Sequence, residues 1–120
     1  MRRIFVVEDD PVYAHFLKSN FENYQDDFVV SFYKTGEECL RHISENPDFV
    51  VLDYYLNSKD RWAMDGIQIM SFIKDYNPNI KIIFISGLES GDYLMKETKG
   101  NIEGYVSKDE HTFEELLKLI

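Results

Sequence analysis

The chain has 120 residues, of which 44% are hydrophobic, and a formal net charge of −9. This length and composition suit one globular domain, and the excess of acidic residues argues against direct binding to nucleic acid, which depends on cationic contacts with phosphates. No apolar run is long enough to span a bilayer, and the apolar stretch at the start stops at Glu8, too early for the core of a signal peptide. The single cysteine, Cys39, excludes an internal disulfide and is interpreted as a small buried hydrophobe, so a cytoplasmic location is expected.

Five short segments are predicted to be strands, and three of them are dense in Val, Ile and Phe without polar alternation, as in strands covered on both faces. In chain order they are residues 3–8, 28–33, 49–53, 81–86 and 103–107. The amphipathic segments that alternate with them are predicted helices at 11–24, 36–44, 66–76, 89–99 and 112–120. Segment 89–99 is the weakest, because Gly91 interrupts it and few of its residues are apolar. The alternation predicts an α/β fold in which helices cover both faces of a doubly wound parallel sheet.

Polar residues follow four of the predicted strands. Glu8, Asp9 and Asp10 end the first strand and Asp53 the third, while Ser86 and Lys108 stand at or just beyond the ends of the fourth and fifth. Ligands of doubly wound sheets bind at the carboxyl ends of the strands, so we expect these groups to converge. Crowded carboxylates favour a hard cation such as Mg²⁺, and an aspartate beside such a cation can attack a phosphoryl group. Each residue alone also has an ordinary explanation as a helix cap, a turn residue or a surface charge.

Taken together, four runs resemble the receiver family of two-component response regulators: Val-Val-Glu-Asp-Asp at 6–10, Val-Val-Leu-Asp at 50–53, Ile-Ser-Gly at 85–87 and Gly-Tyr-Val-Ser-Lys at 104–108. The resemblance covers essentially the whole chain as one receiver domain. It implies a five-stranded parallel sheet in the order 2-1-3-4-5 with five helices. It also implies a signalling switch that accepts a phosphoryl group from a sensor histidine kinase or phosphotransfer protein and then alters its binding to a downstream effector. Such a protein modifies itself and is not an enzyme with a separate substrate, and it often forms a homodimer.

The resemblance assigns a role to each matching acid. Asp53 corresponds to the phosphoacceptor, and Asp9 to the residue that binds Mg²⁺ directly. Glu8 corresponds to the second acid, which often reaches the metal through water, and Tyr55 to the residue that lends its backbone carbonyl. Asp10, followed by a proline at the first helical position, is better explained as the N-cap of the first helix than as a metal ligand.

Three further residues match the switch machinery of the family. Ser86 corresponds to the switch hydroxyl, Lys108 to the phosphate-binding lysine and Tyr105 to the aromatic residue that changes rotamer on activation. The family often has a proline after this lysine, in a cis bond, but Asp109 follows here. Because a cis bond before a non-proline residue costs about 3 kcal/mol, we expect a rebuilt turn with a trans bond.

The connection at 54–65 also departs from the family pattern. Asn57 replaces the usual proline, and the loop runs on to Asp65 before the next helix. Two interpretations stay open: the longer loop contacts a partner or covers Asp53, or it is a harmless surface excursion.

Two other functions compete with the phosphorylated switch. One is a phosphorylation-independent interaction module with a receiver fold, which the altered loop and missing prolines leave open. The other is a small Mg²⁺-dependent phosphohydrolase that uses Asp53 as its nucleophile. The second is disfavoured because Tyr55 stands where such phosphatases place a second acid.

Overall fold

The computed structural model describes residues 1–56, 64–87, 96, 98 and 100–120. A five-stranded sheet with the order β2-β1-β3-β4-β5 forms its centre, and every adjacent pair of strands is parallel. The strands are β1 (Arg2–Val7), β2 (Phe28–Tyr33), β3 (Phe49–Asp53), β4 (Lys81–Ser86) and β5 (Gly104–Ser107). The predicted fold class and strand order are thus confirmed.

Four α-helices lie within the described part of the chain: α1 (Pro11–Phe21), α2 (Gly36–Arg41), α3 (Gly66–Tyr76) and α4 (Thr112–Leu119). Short 3₁₀ turns at Glu22–Tyr24 and Ile43–Glu45 replace the last parts of the first two predicted helices. The fifth predicted helix, at 89–99, falls almost wholly outside the described residues. No helix in the described ranges has the length and apolar character needed to cross a membrane.

Helix starts follow the capping residues of the sequence. The Asp10 side chain accepts a hydrogen bond from the Val12 N–H at 3.0 Å, and Pro11 occupies the first helical position, so the predicted N-cap of α1 is confirmed. Asp65 and Gln68 form a reciprocal capping box at α3. These caps satisfy backbone N–H groups that a helix start otherwise leaves without partners.

The core has two layers, one on each face of the sheet. Helices α2 and α3 pack on one face, where Cys39 and Ile69 are fully buried. Helices α1 and α4 pack on the other, where Leu17 and Leu116 are fully buried. Every residue of β3 is buried, as expected for a central strand covered on both sides. The burial of Cys39 confirms its interpretation as a small core residue.

Candidate functional site

The carboxylates of Glu8, Asp9 and Asp53 form a cluster at the carboxyl ends of β1 and β3. One oxygen from each side chain lies within 4.8 Å of the others. Glu8 is 2% exposed and Asp53 is 3% exposed, while Asp9 is half-buried. Carboxylates this close repel one another unless positive charge lies among them. The convergence predicted from the strand ends is therefore present.

Lys108 supplies one positive charge to this cluster. Its Nζ lies 2.8 Å from Oε2 of Glu8 and donates a hydrogen bond to Oδ2 of Asp53 at 3.1 Å. The lysine side chain is 20% exposed, so water screens these contacts only partly. One ammonium thus contacts two of the three acidic side chains, and its single charge cannot balance all three when they are ionised.

The pKa values of the site reflect this imbalance. Burial, then the hydrogen bond to Asp53 and its charge, raise the pKa of Glu8 to about 8, although Lys108 acts in the opposite direction. Burial alone would lower the pKa of Lys108, but contacts with Glu8 and Asp53 outweigh it and raise this pKa above its usual value. The Lys108 ammonium is therefore charged at neutral pH. The Glu8 carboxyl group keeps its proton to a higher pH than an ordinary glutamate does.

The donor set of the cluster fits a hard metal ion. Oε2 of Glu8 is buried and, although ion-paired with Lys108, it makes no hydrogen bond of normal geometry with any described residue. Such an oxygen has lone pairs available, and carboxylate oxygens are the ligands that small divalent cations prefer. Glu8, Asp9 and Asp53 can therefore hold a metal ion among them.

Hydrogen bonds and one close backbone contact hold Asp53 and the two residues after it in place. Its Oδ1 accepts a hydrogen bond from the Tyr55 N–H at 3.0 Å, and the Tyr54 N–H donates to the carbonyl of Ile85 at 3.0 Å. Gly66, at the start of α3, approaches so closely that a Cβ there would lie 3.0 Å from the Asp53 carbonyl oxygen. Tyr55 thus contacts the site through its N–H, and the role predicted for its carbonyl stays a prediction.

Ser86 and Lys108 reach the site through the ends of neighbouring strands. Asp53 pairs with Ile85 in the sheet, which places the fully buried Ser86 one residue further along β4. The Lys108 N–H donates to the carbonyl of Ser86 at 3.0 Å, so the turn after β5 is tied to β4. The switch role of Ser86 stays a prediction.

The turn that carries Lys108 is held by a threonine. Oγ1 of Thr112, which is fully buried, donates to the carbonyl of Ser107 at 2.6 Å and accepts from the Asp109 N–H at 2.8 Å. The peptide bonds of the described residues are all trans, including Lys108–Asp109, and the expected rebuilt turn is confirmed.

Tyr105 lies on β5, half-buried against the core layer of α2 and α3. Its hydroxyl is 3.0 Å from Oγ of Ser107. This places it on the strand that leads to Lys108, and its predicted change of rotamer stays a prediction. Residues 57–63, which form most of the longer loop, lie outside the described residues, and so do both interpretations of that loop.

Sequence reasoning missed the site roles of two residues. The sequence pattern places Thr112 at the start of the last predicted helix and Tyr13 within the first, and it assigns neither residue to the site. Yet Nζ of Lys108 lies 4.7 Å from the centroid of the Tyr13 ring. The available signal was the position of Tyr13 in the first turn of a helix whose start lies directly after Asp9.

A family model for the response regulator receiver domain matches residues 4–120. The chain therefore belongs to the response regulator receiver domain family. The transcriptional regulatory protein ComA of Bacillus subtilis (strain 168) is 25% identical over 112 residues, which cover 92% of this chain and 50% of ComA. The chain spans about half the length of the curated relatives it matches.

Solved structures support the same fold. The receiver domain of the Francisella response regulator 1452 has a TM-score of 0.80 and 24% identity, and the match covers 99% of this chain and 93% of that one. A response regulator protein from Burkholderia pseudomallei was solved with a phosphorylated aspartic acid, a calcium ion and citrate. It has a TM-score of 0.79 and 20% identity, with 99% of this chain and 66% of that one covered.

Proposed function

We propose that the chain is a phosphorylation-controlled switch of two-component signalling in which Asp53 accepts a phosphoryl group. The observation that carries the proposal is the contact of Lys108 Nζ with Oδ2 of Asp53 at 3.1 Å, within a cluster of three carboxylates. A buried aspartate in this setting has a nucleophilic oxygen, and an ammonium beside it can offset charge on the incoming phosphoryl oxygens. The phosphorylated aspartic acid of the Burkholderia pseudomallei protein, which shares the fold, supports the proposal.

In the proposed reaction, a carboxylate oxygen of Asp53 attacks the phosphorus of a phosphohistidine in a sensor kinase or phosphotransfer protein. A phosphorus–oxygen bond forms to Asp53 while the phosphorus–nitrogen bond breaks, and its electron pair leaves with the imidazole. The Tyr55 N–H orients Oδ1 of Asp53, and Lys108 places positive charge beside Oδ2. Glu8, Asp9 and Asp53, with the Tyr55 carbonyl, would hold Mg²⁺, which when bound neutralises charge on the phosphoryl group.

The modification would act as a switch through the residues next to the site. Ser86 would respond to the phosphoryl group, and Tyr105 would change rotamer on β5 and alter the surface offered to a downstream effector or to a second copy of the chain. The phosphoryl group can drive this change only by binding the active conformation better than the inactive one. The chain would catalyse its own modification, without turnover of a separate substrate. It would do so in the cytoplasm.

Mass spectrometry of the intact protein tests the proposal. After incubation with acetyl phosphate and Mg²⁺, we expect one phosphoryl adduct in the wild type and in Asp75→Asn, which makes the same change of charge on the exposed face of α3. No adduct is expected in Asp53→Asn or in wild type treated with a chelator. An adduct that persists in Asp53→Asn would contradict the assignment of the phosphoacceptor. If calorimetry shows Mg²⁺ binding but no adduct forms, the phosphorylation-independent interaction module is favoured instead.

A further inference from the structure

Tyr13 lies beneath the ammonium of Lys108. Nζ is 4.7 Å from the centroid of the tyrosine ring, within the distance at which an aromatic face attracts a cation. The lysine side chain is 20% exposed, so this attraction is stronger than at a fully solvated surface. Within the described part of the chain, the neighbours of the ammonium therefore include the carboxylates of Glu8 and Asp53 and the neutral ring of Tyr13.

The backbone of the turn does not determine the position of the Lys108 ammonium. The turn is fixed by the Lys108 N–H bond to Ser86 and by the Thr112 hydroxyl, but a lysine side chain has four rotatable methylene groups beyond that turn. Its head group goes where side chains around it hold it, because fixing those rotamers costs conformational entropy. The position of the Lys108 ammonium beside Asp53 thus depends on the side chains of the site.

The three neighbours differ in what happens to them during the reaction. A metal ion bound to Glu8 and Asp53 changes the charge that both carboxylates present to Lys108, and a phosphoryl group on Asp53 changes the charge at that residue. The Tyr13 ring is neutral and takes no part in metal binding or phosphoryl transfer, so its attraction for the ammonium persists throughout. Of the three contacts, the one with Tyr13 is therefore the one that metal binding and phosphorylation do not change.

The contact with Lys108 is measured to the face of the Tyr13 ring, whose centroid lies 4.7 Å from Nζ. The hydroxyl oxygen is buried and makes no hydrogen bond of normal geometry with any described residue. Replacement by phenylalanine keeps the aromatic face and removes the hydroxyl together with its interaction with the Thr112 side chain. This gives a conservative variant that separates the ring from the polar group.

We propose that Tyr13 is a positioning residue that holds the Lys108 ammonium beside Oδ2 of Asp53 through its aromatic face. The proposal rests on the proposed function for its kinetic consequence, but the contact itself is independent of phosphorylation. Tyr13 touches no reacting atom and acts only through Lys108.

The kinetic test compares Tyr13→Phe and Tyr13→Leu with wild type, using acetyl phosphate and saturating Mg²⁺. We expect the rate of adduct formation in Tyr13→Phe to stay near that of wild type and in Tyr13→Leu to fall about tenfold, while the Mg²⁺ dissociation constant stays unchanged in both. Tyr24→Leu removes an aromatic ring that packs on Phe28 and Phe113, away from Lys108, and should leave the rate unchanged. A full rate in Tyr13→Leu would overturn the proposal.

The same substitution in a Lys108→Met background separates positioning from a general loss of packing. If Tyr13 acts through Lys108, Tyr13→Leu should slow Lys108→Met no further. An equal tenfold loss in both backgrounds would show a structural effect and overturn the proposal.

Nuclear magnetic resonance gives a readout that needs no phosphorylation. The ε-methylene protons of Lys108 should resonate upfield of the other lysines because of the Tyr13 ring current, in wild type and Tyr13→Phe but not in Tyr13→Leu. If wild type takes no phosphoryl group, the proposed function fails, and the ring-current shift still decides whether Tyr13 holds Lys108. No shift in wild type would overturn the positioning role whatever the kinetics show.

Discussion

At the scale of single residues, the metal-free site holds more negative charge than Lys108 can balance. Asp53→Asn removes one carboxylate charge, and the ammonium keeps its ion pair with Glu8 at 2.8 Å, so no buried cation is left without a partner. We expect this variant to be more stable than wild type in the presence of a chelator, by about 1 kcal/mol or more, because relief of repulsion outweighs the lost contact. Urea unfolding measures the difference.

The control for this prediction is Asp75→Asn, which changes the net charge equally but lies on an exposed part of α3. Its stability should match that of wild type within about 0.5 kcal/mol. A destabilised Asp53→Asn would instead mean that the Lys108 contact stabilises Asp53 more than Glu8 and Asp9 repel it.

The thiol of Cys39 gives a prediction with a pH dependence. Burial raises its pKa to about 12 from the usual 9.0. The unfolded chain therefore loses this proton first as pH rises, so the stability that this group contributes is complete below pH 9 and is lost as pH approaches 12. The free energy of unfolding of wild type relative to Cys39→Ala should decline across that window. At pH 8 a thiol-labelling reagent should react only as fast as the protein opens, and rapid labelling of the native protein would contradict the burial.

At the scale of the elements, the first residue of α3 limits the space behind the phosphoacceptor. A Cβ at Gly66 would lie 2.9 Å from Cε1 of Phe84, 3.0 Å from the Asp53 carbonyl oxygen and 3.2 Å from the Tyr54 Cα. Two of these neighbours are backbone atoms, which yield only if the end of β3 moves. We expect Gly66→Ala to cost about 1–3 kcal/mol of stability, although alanine favours helices, and to slow formation of the adduct.

Gly87→Ala provides the matched comparison on the same edge of the sheet. Among the described residues, the nearest atom to a Cβ at Gly87 would be Cβ of Lys108 at 4.0 Å, which is ordinary van der Waals contact. Thermal unfolding and adduct formation should both stay near wild type. Equal losses in the two variants would show that the close approach of α3 to β3 is not the cause.

The elements also show which boundaries local sequence can predict. The bounds of β2, β3, β4 and α3 agree with prediction, because their apolar runs and caps are local signals. Helix α2 ends at Arg41, earlier than predicted, since His42 leaves helical geometry and stacks on Tyr33 of β2 at a ring distance of 5.2 Å. That contact comes from tertiary packing, which no local pattern of apolar residues reveals.

At the scale of the whole molecule, the site is predictable where topology alone brings residues together. Parallel strands end at one edge, so the backbone of Glu8, Asp53 and Lys108 comes to the same edge of the sheet whatever the side chains do. The contact of Tyr13 with Lys108 depends instead on how α1 is rotated against the sheet and on a lysine rotamer. Spacing along the chain restricts both of these but determines neither.

The site joins the ends of β1, β3 and β5, so an ion bound there should stabilise the whole fold. Each tenfold rise in free Mg²⁺ above its dissociation constant should add about 1.4 kcal/mol to the free energy of unfolding of wild type. In Asp9→Asn this dependence should shift to higher Mg²⁺ concentration, because the donor set loses a charged ligand. A net charge of −9 also makes general screening a rival explanation. Sodium chloride at matched ionic strength separates the two, since screening would stabilise wild type and Asp9→Asn alike, whereas binding at the cluster requires Mg²⁺ and distinguishes them.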